Sequence, residues 1–251
     1  MKKTILVLLF FSFYSLNAQV FKVNKVTSSI FIGTAAVLQQ SAGLVNDEFY
    51  EQLSENDIFD LNENSIPFFD RWSITRYDEN LDKISDYLVF ASLGASMYIS
   101  YDEPYTLDNL IVLSKIALTQ SALASWSKAL TQRNRPYVYD DGTNLDIKQK
   151  EDAQQSFFSH HTSTIFSLAT YSYFYSYQLY GSKPLLAVGL YGSAAICASL
   201  RVASGNHFPS DVITGAVVGS AVSYLICKQH NKNAKLKLNL KYNHIGFCYN
   251  F

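Results

Sequence analysis

The chain has 251 residues, of which 48% are hydrophobic and 16% are charged. This length is sufficient for one well-buried core, so we expect one principal domain. The formal net charge of −1 excludes the strongly basic surface that nucleic-acid binding requires, and we expect no nucleic-acid partner.

The N-terminal segment has the pattern of an export signal. Lys2 and Lys3 precede an apolar run over residues 5–14, and Ala18 offers a cleavage site before Gln19. We therefore expect residues 1–18 to be a cleaved signal peptide. The mature protein is then expected in the periplasm or the cell-envelope membrane, with its active site outside the cytoplasm.

Six apolar runs of helical length follow the signal: 28–45, 84–100, 107–130, 161–180, 184–200 and 211–227. They predict an all-α fold, a six-helix bundle occupying residues 19–230. A polar, acidic insert over residues 46–82 separates the first two runs, and the sequence leaves its role open. In the tail, residues 231–251, apolar and polar residues alternate from Lys235 onward, which predicts a short β-hairpin.

The sequence leaves open whether these helices cross a membrane. Mean hydropathy is only +0.01, and several runs contain polar side chains such as Gln39, Gln40 and Lys115. Only the last two runs come near the roughly 20 mostly apolar residues that a spanning helix needs. A soluble exported form and a membrane-associated form both fit this pattern.

Three short segments carry the residue types that bind and cleave a phosphate ester. Cations match the charge of phosphate oxygens, and a neutral histidine held by a carboxylate is a competent nucleophile. The residues are Lys128 and Arg135-Pro136, then Ser159-His160-His161, then Arg201, His207 and Asp211.

This pattern resembles the type 2 phosphatidic acid phosphatase superfamily, whose signature is Lys-x6-Arg-Pro, then Pro-Ser-Gly-His, then Ser-Arg-x5-His-x3-Asp. The resemblance covers residues 80–228. Phe158 stands in place of the proline of the second motif, and His160 stands in place of its glycine. In the third motif, Leu200 separates Ser199 from Arg201. None of these departures removes a side chain that the family uses.

The resemblance implies a role for each residue. His207 is the nucleophile, Asp211 holds its ring, and His161 is the general acid and then the general base. The phosphate is expected to be bound by a larger set, in which His160 contributes its backbone N–H: Lys128, Arg135, Ser159, His160 and Arg201. The scheme needs neither a metal nor another cofactor.

Three local expectations concern the surroundings of these motifs. Ser159 and Ser210 are candidate N-caps of the fourth and sixth helices, whose N-termini would then face the phosphate. Arg133 lies between two motif positions and is expected in solvent. His230, near the tail, is also expected at the surface.

The implied function is a metal-independent phosphatase that forms a phosphohistidine intermediate. Its substrate would be a phosphate monoester or a pyrophosphate, either of a lipid or of a small soluble ester, with an accompanying membrane association for a lipid. Two alternatives remain. A vanadium-dependent haloperoxidase has similar motifs, and a non-catalytic envelope protein can share the fold.

Overall fold

The structure is a computed structural model that describes residues 18–232 and two further segments, Leu236–Lys241 and His244–Tyr249. The predicted signal peptide lies outside the described residues except for Ala18. Eight α-helices occur in the described part: α1 (Lys25–Phe49), α2 (Glu55–Phe59), α3 (Glu79–Ile99), α4 (Thr106–Thr131), α5 (Leu145–Lys148), α6 (His160–Tyr180), α7 (Pro184–Ala203) and α8 (Pro209–His230).

The all-helical character of the domain is confirmed. The six long helices coincide with the six apolar runs, whereas the short helices α2 and α5 lie in polar segments outside those runs. Short 3₁₀ turns occur at Glu63–Ser65, Arg71–Ser73, Pro136–Val138 and Glu151–Gln154. In the tail, strands β1 (Leu236–Lys241) and β2 (His244–Tyr249) pair antiparallel, with Leu236 opposite Tyr249.

Helix α6 is the centre of the bundle and packs against α3, α4, α7 and α8, while α1 packs against α4. Two glycines allow α6 and α8 to touch backbone to backbone. A Cβ atom at Gly219 would lie 2.0 Å from the carbonyl oxygen of Ser163, and one at Gly215 would lie 2.6 Å from that of Ser159. Only glycine fits at these two contacts, which therefore fix the N-terminal half of α6 against α8.

The main apolar cluster lies farther along α6, about three turns from its N-terminus. Phe21, Tyr171 and Tyr175 are fully buried there, and the rings of Phe21 and Tyr171 stack with centroids 5.8 Å apart. The hydroxyl of Tyr171 donates to the carbonyl oxygen of Asn109 over 3.0 Å. This cluster stabilises the bundle around the later turns of α6, whereas the polar motif residues lie near the N-terminal end of that helix.

Four segments are long and apolar enough to cross a membrane: Lys25–Phe49, Thr106–Val138, Pro184–Ala203 and Pro209–His230. Only the last two are near this limit by sequence alone, because Gln and Lys residues lower the apparent apolarity of the others. Large apolar side chains such as Leu185, Val188 and Ile213 are exposed on these helices. Helices of this composition favour association with a membrane.

Candidate active site

The loop between α7 and α8 carries His207 and is held in place by Gly205. Gly205 has a φ of +74°, and a Cβ atom there would lie 2.8 Å from the carbonyl oxygen of Thr75. Its own carbonyl oxygen accepts from the backbone N–H of Tyr137 over 3.1 Å. The loop is thereby joined both to the end of the insert and to the turn that follows Arg135.

His207 is buried, with 1% of its surface exposed. Its Nδ1 atom lies 2.7 Å from the main-chain carbonyl oxygen of Ser156. Because a carbonyl oxygen can only accept, Nδ1 carries the proton and Nε2 presents its lone pair. In the described part of the chain, Nε2 has no hydrogen-bond partner. The Nε2 nitrogen of His207 is therefore available to attack phosphorus.

Burial lowers the pKa of His207 well below its ordinary value. Arg135, Arg201 and Lys128 are near enough for their charges to lower this pKa further. The imidazole is consequently neutral near pH 7, which is the form that a nucleophile requires.

Asp211 does not hold the His207 ring directly, contrary to what the resemblance implied. The carboxylate oxygen Oδ2 lies 3.9 Å from Nδ1, beyond hydrogen-bond distance. It accepts instead from the hydroxyl of Ser156 over 2.6 Å and from the backbone N–H of Phe208 over 2.8 Å. Asp211 thus fixes Ser156, whose carbonyl oxygen orients the imidazole.

Arg133 is not solvated as expected. Its guanidinium forms an ion pair with Asp211 and a second one with Asp70, at 2.9 Å. It also donates to the hydroxyl of Ser210 over 2.8 Å and lies over the ring of Phe208. Two buried carboxylates need a shared counter-charge, and Arg133 supplies it.

Asp70 connects the insert to the start of α8. Its carboxylate is fully buried and accepts from both the backbone N–H and the hydroxyl of Ser210, over 3.0 and 2.6 Å. Ser210 is therefore not the N-cap: Pro209 occupies the first helical position and makes Phe208 the cap. The positive end of α8 is occupied by the carboxylates of Asp70 and Asp211.

The arginines of the first and third motifs are both buried, each 3% exposed. Arg135 donates to the main-chain oxygen of Asp152 over 2.7 Å and also pairs with its carboxylate. Arg201 pairs with Asp82 and donates to Ser85 over 3.1 Å. Its Nε–H is buried and has no acceptor among the described residues. An oxyanion would satisfy this donor, which is costly to leave unpaired.

The positive charge near the motifs affects the pKa of Asp152. Burial alone would raise the pKa of this carboxyl, but three nearby cations outweigh burial and lower it. The cations are Arg135, Lys128 and Arg201. Their combined charge is suited to a doubly charged phosphate.

Ser159 is fully buried and is the N-cap of α6, as predicted. Its hydroxyl oxygen accepts from the backbone N–H of Thr162 over 3.4 Å and from the Thr162 hydroxyl over 3.0 Å. Its own N–H donates to the carbonyl oxygen of Asp211 over 3.2 Å. The N-termini of α6 and α8 are thus joined, which brings the second and third motifs together.

His161 is hydrogen-bonded through Nε2 to the carboxylate of Asp86, at 2.7 Å. Burial lowers the pKa of His161 to about 3, with further contributions from Arg201 and Lys128. A neutral His161 donates its Nε2–H to Asp86 and leaves Nδ1 free to exchange a proton. His160 turns its ring towards α4, where its Nε2 lies 3.4 Å from the Gln120 amide nitrogen.

The structure brings the residues named from the three motifs to one end of the bundle. It adds a set of partners that sequence reasoning missed: Asp70, Asp82, Asp86, Asp152 and Ser156. None has a motif spacing of its own. Ser156 lies just before the second motif, and that proximity was its only signal.

Comparison with known proteins yields one family and two similar structures. The family model described as the PAP2 superfamily matches residues 109–235, slightly more than half of the chain. LpxE of Aquifex aeolicus is 20% identical over 63% of this chain and 92% of its own, with a TM-score of 0.46. A transmembrane PAP2 type phosphatidylglycerolphosphate phosphatase of Bacillus subtilis is 17% identical over 76% and 93%, with a TM-score of 0.44. No curated protein matches this chain.

Proposed function

This chain belongs to the PAP2 superfamily, and we propose that it hydrolyses phosphate monoesters through a covalent phosphohistidine on His207. The observation that carries the proposal is the state of that side chain. His207 is buried, neutral and fixed in one tautomer by the Ser156 carbonyl oxygen, and its Nε2 is left free. Two buried cations, Arg135 and Arg201, and the partly buried Lys128 lie near enough to lower its pKa.

In the first step, the Nε2 lone pair attacks phosphorus, a P–N bond forms, and the P–O bond to the leaving group breaks. Lys128, Arg135 and Arg201 neutralise the charge on the phosphate oxygens. His161 donates a proton to the departing alkoxide. A bound phosphate dianion raises the pKa of His161, so the imidazole gains this proton when substrate binds.

In the second step, His161 accepts a proton from water as the water oxygen attacks phosphorus. The P–N bond breaks, inorganic phosphate leaves, and His207 regains its lone pair. Throughout both steps the His207 Nδ1–H stays donated to the Ser156 carbonyl oxygen, which keeps the ring in one orientation. Asp86 stabilises the protonated form of His161 before the first step and after the second.

The apolar helices support a phosphorylated lipid as substrate. Four segments have the length and composition of spanning helices, and their apolar side chains are exposed. A lipid substrate would reach the cations from the membrane surface. We propose an exported protein of the cell envelope with this site outside the cytoplasm, in keeping with the N-terminal signal pattern.

Phosphate release by the purified protein in detergent tests the proposal. The substrates are phosphatidate and p-nitrophenyl phosphate without added metal, and the variants are His207→Ala and, as a control distant from the motifs, His230→Ala. We expect His207→Ala to abolish release and the control to retain it. Undiminished release by His207→Ala would overturn the mechanism.

Two further readouts separate the alternatives. A ³²P-labelled intermediate should be trapped in the unsubstituted protein but not in His207→Ala. Vanadate should inhibit the phosphatase, whereas a haloperoxidase would gain halide oxidation from vanadate and peroxide. A non-catalytic protein would show neither activity.

A further inference from the structure

A cavity of about 260 Å³ lies beside the phosphate-binding cations. It is bounded by the C-terminal half of α1, the last turns of α4, the turn at Glu151–Gln154 and the start of α6. Its polar lining includes Gln39, Asn46, Lys128, Glu151, Gln155 and His160. Lys128 therefore belongs both to the cavity and to the first motif.

The polar side chains of this cavity hold one another in place. The Asn46 amide donates to the Glu151 carboxylate over 2.5 Å, and Gln155 donates to the same carboxylate over 3.0 Å. Gln132, which is not itself a lining residue, donates to the Asn46 oxygen over 2.8 Å and helps to fix that side chain. Such a wall presents ordered donors and acceptors, which suit hydroxyl groups better than hydrocarbon.

The charges of the lining argue against a second phosphate. Lys128 and Glu151 are the charged residues that line the cavity, and they offset each other. A second phosphate would face the Glu151 carboxylate and be repelled, whereas a neutral group would not. The volume is also below the roughly 300–1,000 Å³ of pockets that enclose drug-sized ligands, so it fits a head group and not an acyl chain.

Lys128 places this cavity next to the reacting atoms. Its charge acts on His207 and also on His160, whose ring stands where the family signature has glycine. For a phosphate held between Lys128 and His207, the leaving group has two possible directions. It points either towards the cavity or away from it. The ordered polar wall favours the first arrangement for a hydroxylated leaving group.

We propose that this cavity binds the leaving group of the substrate, and that the leaving group is a neutral polyhydroxylated alcohol such as a polyol or a sugar ring. The inference rests on the proposed phosphatase function and narrows its substrate class. In the reaction, the alcohol takes the proton from His161 and departs through the cavity. Inorganic pyrophosphate is then a poor substrate.

The test compares substrate pairs that differ only in hydroxyl groups: glycerol 3-phosphate against propyl phosphate, and inositol 1-phosphate against cyclohexyl phosphate. It is run on the unsubstituted protein and on Gln39→Leu, which removes a lining amide that makes no hydrogen bond to another described residue. Gln229→Leu, on the exposed last turn of α8, is the matched control. Thermal denaturation verifies that each variant is folded.

We expect kcat/KM to favour the hydroxylated member of at least one pair by about tenfold, the worth of one hydrogen bond. Gln39→Leu should reduce this preference towards unity without slowing the apolar member, and Gln229→Leu should preserve it. Equal rates within both pairs, or a preference that Gln39→Leu leaves intact, would overturn the subsite. Cleavage of inorganic pyrophosphate as fast as that of the monoesters would also overturn the subsite. Failure to cleave any ester, including p-nitrophenyl phosphate, would instead refute the phosphatase function and the subsite with it.

Discussion

Ser156 and His207 are joined by a hydrogen bond in which the imidazole Nδ1–H donates to the main-chain carbonyl oxygen over 2.7 Å. The proton is therefore positioned by backbone and not by a carboxylate. Asp211 acts one step away, since it accepts from the Ser156 hydroxyl over 2.6 Å.

Ser156→Ala and Asp211→Asn should separate these two roles. Ser156→Ala removes the hydroxyl but keeps the carbonyl oxygen, so we expect kcat to fall by about tenfold or less. Asp211→Asn also breaks a buried ion pair, and we expect a loss of about 3–5 kcal/mol in the free energy of unfolding. Steady-state kinetics and denaturation in detergent measure both. A loss of kcat in Ser156→Ala equal to that in His207→Ala would refute the backbone role.

The insert should be essential for stability through Asp70. Asp70→Asn leaves Arg133 with one carboxylate fewer, and we expect it to cost about 3–5 kcal/mol, as does Arg133→Gln. The double variant should cost less than the sum of the two, because the residues form one network. Lys83→Gln, in the exposed pair with Glu79, is the control and should leave stability unchanged. Strict additivity of Asp70→Asn and Arg133→Gln would contradict the network.

Gly219→Ala tests the backbone contact between α6 and α8. The added Cβ would lie 2.0 Å from the Ser163 carbonyl oxygen, so the helices must separate. We expect a large loss of stability and of activity together. Gly33→Ala, where nothing lies within 4 Å of the added Cβ, should be neutral or stabilising by about 0.5–1 kcal/mol. A fully stable and active Gly219→Ala variant would disprove the close approach.

Asp86 should act as a positioning residue for His161. We expect Asp86→Asn to lower kcat by about 10–100-fold with little change in KM, since general acid catalysis contributes about 10²–10⁴-fold. Asp86→Glu should restore part of the rate and shift the pH profile. In a His161→Gln background, Asp86→Asn should add almost nothing. A full additional loss in that background would show that Asp86 acts independently.

The partly buried histidines His160 and His161 should make the protein sensitive to acid. The pKa of His161 is lowered to about 3 and that of His160 to about 4, in both cases mainly by burial. Their contribution to stability is complete above the unfolded pKa of about 6.5 and is lost as the pH falls below it, because only the unfolded chain then takes up the protons. In this range the free energy of unfolding is expected to fall by up to about 1.4 kcal/mol per pH unit for each histidine.

Denaturation of the unsubstituted protein and of His161→Gln between pH 7 and pH 4 measures this slope. The pH dependence of the free energy of unfolding should be weaker in the variant by the contribution of one histidine. Identical slopes would indicate that His161 is protonated in the folded state.

The long helices and the motif residues could be predicted because their signals are local. Apolar runs of helical length are visible in sequence, and motif spacing identifies His207 and Arg201. Asp70 and Asp86 could not be predicted, since each lies far along the chain from its partner and meets it only through tertiary packing. Ser210 was misassigned because a proline at the first helical position moves the cap back to Phe208. Arg133 was misassigned because its two buried carboxylates come from different segments.

The contact between α6 and α8 has a consequence for how this protein tolerates change. His161 lies at the start of α6, and His207 lies just before α8. The spacing of these two helices is fixed by glycine contacts and not by interlocking side chains. Exposed apolar residues such as Ile213 and Val217 on α8 can therefore be exchanged for other apolar residues without altering the distance between His161 and His207. The outer apolar surface can therefore vary in sequence while the geometry of the candidate site stays constant.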